Sequence, residues 1–293
     1  MRAKKPEIKQ KRLKLFLYGP AGIGKTLAAI QFPNAYIIDA ERGTEEYSET
    51  IIKAGSDVFS SHNPNEIREE LHELLTTKHE YKTLIIDPMT MIYNSTQEKW
   101  NRIFEKYADN EKAKEVQDYG QRYWGKVKSE FKSLERMILA LDMNVIVTAH
   151  QKDMYGPGMQ KIGVTYDSMK GDEYLYDHIF QLARKGDKRV AIKIKERAEI
   201  GKEKFPAEFE WSYKNFCDFY GKDILERKAN PIAMALPDQV EKLNRLLTVV
   251  SIDDETQNRW LTAANCNTFA DMTADAIGKC IDYCEKRVKD VTK

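Results

Sequence analysis

Residues 19–26 read Gly-Pro-Ala-Gly-Ile-Gly-Lys-Thr, and the fold follows from this stretch. It fits the pattern G-x-x-x-x-G-K-[ST] with every fixed position filled. Leu13-Lys14-Leu15-Phe16-Leu17-Tyr18 precedes it, an apolar run with the character of a buried strand. Leu27-Ala28-Ala29-Ile30 follows, with the composition of a helix start. Strand, Gly-rich loop and helix are the context in which the pattern means a phosphate cradle. Gly22 and Gly24 let the backbone aim its N–H groups at an anion, Lys25 adds positive charge for the β- and γ-phosphates, and Thr26 offers a hydroxyl to Mg²⁺. The expected contact set for a nucleoside triphosphate with Mg²⁺ is Gly19, Pro20, Ala21, Gly22, Ile23, Gly24, Lys25, Thr26 and Leu27.

Two later apolar runs end in acid. Residues 35–39, Ala-Tyr-Ile-Ile-Asp, are followed by Ala40-Glu41. In open α/β sheets chemistry gathers at the carboxyl ends of parallel strands, so Glu41 can face a phosphate held at residues 19–26 and orient or deprotonate water there. A surface glutamate in an acidic loop is the competing reading, because Glu45, Glu46 and Glu49 follow closely. Residues 83–87, Thr-Leu-Ile-Ile-Asp, read as the strand whose terminal carboxylate, Asp87, joins Thr26 in holding Mg²⁺. A further strand, 144–149, ends at His150-Gln151, where a polar side chain can sense the terminal phosphate. The Gly-rich stretch 152–172 then reads as a long functional loop.

Between these lie amphipathic helices at 45–54, 64–77 and 126–142. Residues 91–125 interleave Tyr93, Trp100, Phe104, Tyr123 and Trp124 with lysine and arginine. Stacking rings in a positive groove suit single-stranded nucleic acid, and a helix stripe packed in the core suits the same residues. Residues 178–183 and 190–194 flank a Lys-Gly-Asp-Lys turn and predict a hairpin, with Val190, Ile192 and Ile194 on one face. It ends in Lys195-Glu196-Arg197, two cations that either decorate the surface or reach a phosphate, even one in a neighbouring subunit.

The chain has 293 residues, 42% hydrophobic and 32% charged, with a net charge of +1. No global field therefore steers it to nucleic acid or membrane. The basic stretch from Arg2 to Lys14 is a local patch, either a solvated tail or a nucleic-acid contact. No apolar run is long enough to span a bilayer. Cys217, Cys266, Cys280 and Cys284 form no C-x-x-C, which points to a reduced, cytoplasmic protein. The expected organisation is a basic tail at 1–12, a P-loop domain at 13–226, a linker at 227–237 and a small helical domain at 238–293.

The order of P-loop, Ile-Ile-Asp-Ala-Glu, Leu-Ile-Ile-Asp, Val-Thr-Ala-His, Gly-rich loop and a hairpin ending in Lys-x-Arg resembles the RecA-like ATPase core over roughly residues 12–212. It is most similar to the small phage-encoded RecA-like proteins found with single-strand annealing and recombination genes, the Sak-type group. The resemblance implies an α/β fold: a mostly parallel central sheet, a C-terminal antiparallel hairpin, and here an all-α C-terminal domain. It also implies a DNA-dependent ATPase working as a homo-oligomer with ATP between subunits. Glu41 would activate water, and His150 or Gln151 would sense the γ-phosphate. Lys195 and Arg197 would act across the interface. Single-stranded DNA would meet residues 152–172 and the segment 93–125. The C-terminal helices match nothing in that family, and DNA, a partner protein or another subunit would be their ligand. The alternatives are a helicase or helicase loader on the same core, a small-molecule phosphotransferase, and a nucleotide-switched scaffold. The absence of arginine from 152–172 speaks against the phosphotransferase, and Glu41 against the scaffold.

Overall fold

The computed structural model describes residues 12–108, 119–197, 203–229, 235–264, 266 and 268–291. Most of the basic tail thus lies outside the described residues, as do parts of the linker and of the 91–125 segment. Arg12, assigned to the tail, belongs to the fold: its guanidinium is buried and pairs with Asp142 at 2.8 Å.

The described strands form one sheet in the order β3-β2-β4-β5-β1-β7-β8-β9, with β6 paired to β5. They are β1 (Lys14–Gly19), β2 (Ala35–Asp39), β3 (Asp57–Ser60), β4 (Thr83–Asp87), β5 (Asn144–Tyr155), β6 (Lys161–Asp167), β7 (His178–Lys185), β8 (Lys188–Glu196) and β9 (Glu208–Glu210). The first six positions of that order, β3 to β7, run parallel; β6, β8 and β9 pair antiparallel. This is the α/β architecture expected from the sequence, mainly parallel with an antiparallel C-terminal hairpin. β1, β2 and β4 are buried nearly throughout, as strands covered on both faces must be. Register aligns their ends: Asp39 lies opposite Asp87, and Gly19 opposite His150.

The helices are α1 (Lys25–Ala29), α2 (Ser48–Lys53), α3 (Pro64–Thr76), α4 (Met89–Ala108), α5 (Tyr119–Ala140), α6 (Tyr213–Tyr220), α7 (Lys222–Leu225), α8 (Pro237–Val250), α9 (Asp254–Ala264) and α10 (Ala274–Val291). By compactness the chain divides into two units, one drawn from 1–69, 79–131 and 142–230, the other from 70–78, 132–141 and 231–293. The core of the first packs β1 and β2 residues with an aromatic cluster of Phe180, Phe205, Phe209, Trp211, Phe216 and Tyr220. In the second, Leu243, Ile252, Met272, Ile277, Ile281 and Cys284 make a small core between helices. Among the described residues no helix is long and apolar enough to cross a membrane.

Two sequence expectations change, and the rings of 91–125 take up one of the two roles left open for them. The stretch 152–172 is not a structureless loop: β5 runs on to Tyr155, turns through Gly156–Gln160 and returns as β6. Gly156 and Gly158 mark the turn, with Gly158 at φ 79°. The rings of 91–125 are largely used between α4 and α5. Tyr93 packs on Phe131 and Phe104 on Tyr123, while the Trp100 indole donates to Glu130 at 2.6 Å. In β8, alternation breaks at a bulge: Lys195 pairs with Ile179 and Lys193 with Phe180, so Ile194 between them is half exposed instead of sharing the Val190 face.

Candidate active site

Backbone register places the polar side chains before any of them need interact. β1, β2 and β4 end near His150 of β5, which itself runs on, and a cleft of about 460 Å³ opens above these ends. Gly19, Ala21, Gly22, Gly24, Lys25, Thr26, Glu41, Asp87, His150 and Gln151 line it, together with Gly43, Glu46, Tyr47 and Pro88. Ile23 and Leu27, expected to touch nucleotide, pack into the core below. Pro20 is exposed and lies off the lining.

Gly22 and Gly24 adopt φ of 70° and 85°, the left-handed conformation a phosphate loop uses to gather N–H groups. Lys25 folds over its own loop, its Nζ donating to the carbonyls of Gly19 and Pro20 at 3.1 Å each. Burial pushes its pKa down, while Asp87 and Glu41 pull it back up.

Glu41 rides on a turn built by Asp39. That buried carboxylate accepts the N–H groups of Glu41 (3.2 Å), Gly43 (3.1 Å) and Thr44 (2.9 Å) and the Thr44 hydroxyl (2.5 Å). Asp39 therefore spends its charge on the loop and leaves Glu41 to face the cleft. Across the cleft, His150 Nε2 lies 2.9 Å from Glu41 Oε1, and both side chains are about 40% exposed. His150 is tied down in turn, its N–H donating to Thr90 Oγ1 at 2.9 Å while Thr90 donates to Asp167 O at 2.6 Å. Thr90 thus links α4, β5 and β6. Gln151 accepts from Gln181 at 3.2 Å.

Asp87 is buried, and burial raises its pKa despite hydroxyl donors Thr148 and Thr26 and the nearby Lys25. A buried carboxylate beside a threonine hydroxyl is an all-oxygen donor set that suits a hard divalent cation, and a cation there would restore the ionised form. Thr26 and Asp87 thus fit Mg²⁺, as their positions in the sequence imply.

Lys195 and Arg197 do not reach this cleft. Both lie level with the amino ends of the parallel strands. Lys195 Nζ donates to the carbonyls of Glu173 and Tyr176, the latter at 2.7 Å. Arg197 pairs with Asp177 at 3.2 Å and donates to Tyr174 O. Arg189, in β8 just past the hairpin turn, touches the P-loop instead: its Nε donates to Ile23 O at 2.7 Å. No linear pattern marks it. Thr148 and Asp39 were also missed in these roles, because each acts through a partner on another strand or loop.

A family profile described as AAA domain matches residues 11–204. The chain belongs to that family, and this puts it among the P-loop ATPases. Among solved structures, the crystal structure of the RadB recombinase is similar at 16% identity and a TM-score of 0.36, over 63% of this chain and 81% of that one. No curated protein matches in sequence.

Proposed function

We propose that this protein is a Mg²⁺-dependent ATP hydrolase that acts on single-stranded DNA in phage-type recombination or annealing. One observation carries the hydrolase reading: Lys25, Thr26, Asp87, Glu41 and His150 lie on or just after four separate strands and meet at one cleft. Lys25 and the loop N–H groups hold the triphosphate. Thr26 and Asp87 would hold Mg²⁺, which supplies charge neutralisation at the phosphates when bound. Glu41 aligns water as general base, and His150, 2.9 Å away, shares its carboxylate until a terminal phosphate competes for the histidine.

The DNA reading is supported by continuity. β5 passes without a break from His150 and Gln151 into the β5–β6 hairpin, whose Tyr155, Met159 and Ile162 are exposed. A shift at the phosphate end of β5 is thus carried by a paired strand to a surface with a ring and apolar groups for bases. In an oligomer, Arg197 serves a neighbour's cleft, since it stands too far from its own.

The test is ATP turnover with and without single-stranded DNA, together with the mass of the ATP-bound assembly. Turnover should rise with single strands and mass should exceed one chain. Turnover and strand binding both indifferent to DNA at low salt would overturn the DNA reading. A monomer at saturating ATP would overturn the role of Arg197.

A further inference from the structure

The P-loop is braced from outside by a side chain that no part of the motif contains. Arg189 is the second residue of β8, and its backbone is fixed on both sides, paired across the hairpin with Arg184 and accepting the Trp211 N–H at 2.8 Å. From this frame its Nε reaches the Ile23 carbonyl at 2.7 Å. Its guanidinium also fills the space a Cβ on residue 24 would take. Any side chain at Gly24, already strained there at φ 85°, would also push that guanidinium aside. In a trans peptide the C=O and N–H point in opposite directions. A donor that holds the Ile23 C=O outward turns the Gly24 N–H inward, to the side where a phosphate sits.

We propose that Arg189 is a positioning residue for triphosphate binding, holding the Ile23–Gly24 peptide so that the Gly24 N–H faces the phosphate. It acts through the loop and adds a positive charge behind it. It also ties the β7–β8 hairpin to nucleotide occupancy. The proposal rests on the reading of the cleft as a triphosphate site.

The experiment uses the full chain and a fluorescent ATP analogue, with steady-state turnover and thermal melts of the nucleotide-free protein. The variants are Arg189→Ala, Arg189→Lys and Lys25→Ala. Loss of one charged hydrogen bond predicts binding weaker by about tenfold to a hundredfold in Arg189→Ala. The loss should fall on KM more than on kcat, and Arg189→Lys should recover part of it. Melting of the folded variant should stay above the assay temperature. Arg189→Ala binding the analogue as tightly as wild type would overturn the proposal. So would weaker binding that only tracks a collapse in melting temperature and is not recovered by lysine. If folded wild-type protein failed to bind the analogue, the triphosphate reading itself would fall, and the assignment of Arg189 with it.

Discussion

At the carboxyl ends of the parallel strands, Glu41, Asp87 and His150 converge on an open cleft. At the amino ends, Lys195 and Arg197 are equally polar but are taken up by the carbonyls of Glu173, Tyr174 and Tyr176 and by Asp177. The difference comes from strand direction. A parallel strand delivers the residues after its last pairing to one common edge, so successive strands stack their polar ends together. β8 runs the other way, and its terminal cations arrive at the opposite edge, among local acceptors. Side-chain chemistry alone does not make a site. The chain path decides which polar groups stay available.

The contrast can be broken most directly at the cleft. Lys25→Ala should lower ATP turnover by about a thousandfold or more, because it removes both the charge on the phosphates and the loop's own brace. A phosphate-release assay checks this, and residual turnover near wild type would dissolve the distinction between the two edges. Glu41→Gln keeps shape and removes the base, so turnover should fall by about a hundredfold to ten-thousandfold with nucleotide binding retained. Hydrolysis surviving in that variant would move the base elsewhere, with His150 the next to test.

At the amino edge, the predictions concern assembly and stability. Arg197→Ala and Lys25→Ala chains, each inactive alone, should recover activity when mixed, because one interface in a mixed assembly is intact. No recovery would leave Arg197 with only its ion pair to Asp177. His178 gives a pH signature on the same side of the sheet. It is buried among Phe180, Phe205 and Tyr220, with neither ring nitrogen hydrogen-bonded, and burial pushes its pKa down to about 4. The unfolded chain takes up this proton near pH 6.5, while the folded chain refuses it until about 4. Stability therefore rises with pH across that window and is lost as pH falls through it, by roughly 3 kcal/mol from this group. Urea melts at pH 7 and pH 4.5, compared with His178→Phe, should show a shallower pH slope in the variant. The smallest effect is expected back at the cleft, in Thr148→Val. It removes a donor from buried Asp87 and should cost about 1–3 kcal/mol in denaturant melts.

What was legible in the sequence was local. The P-loop is written in eight consecutive residues, and Asp39, Asp87 and His150 each end an apolar run that could only be a buried strand. Those patterns work because a strand's burial and its terminal polar residue are encoded within a few positions of one another. Other features depend on how separate segments of the chain meet. Gly156, Gly158 and Gly163 imply a loop when counted by composition, yet β5 and β6 pair across them, and that pairing is a property of two segments. The rings between Tyr93 and Trp124 read equally well as a stacking platform or as core, and only the approach of α4 to α5 turned Trp100 toward Glu130.

By itself, the sequence determined that a triphosphate loop sits on an α/β sheet, with acids and a histidine at strand ends. Periodicity and motif are short-range, so they survive without coordinates. The tertiary structure alone decided that Glu41 meets His150, that Asp39 spends its carboxylate on the turn beneath Glu41, that Lys195 and Arg197 face away from their own cleft, and that Arg189 braces the P-loop. Each of these is a contact between residues distant in the chain, set by strand order and register, and neither is expressed by the residues themselves.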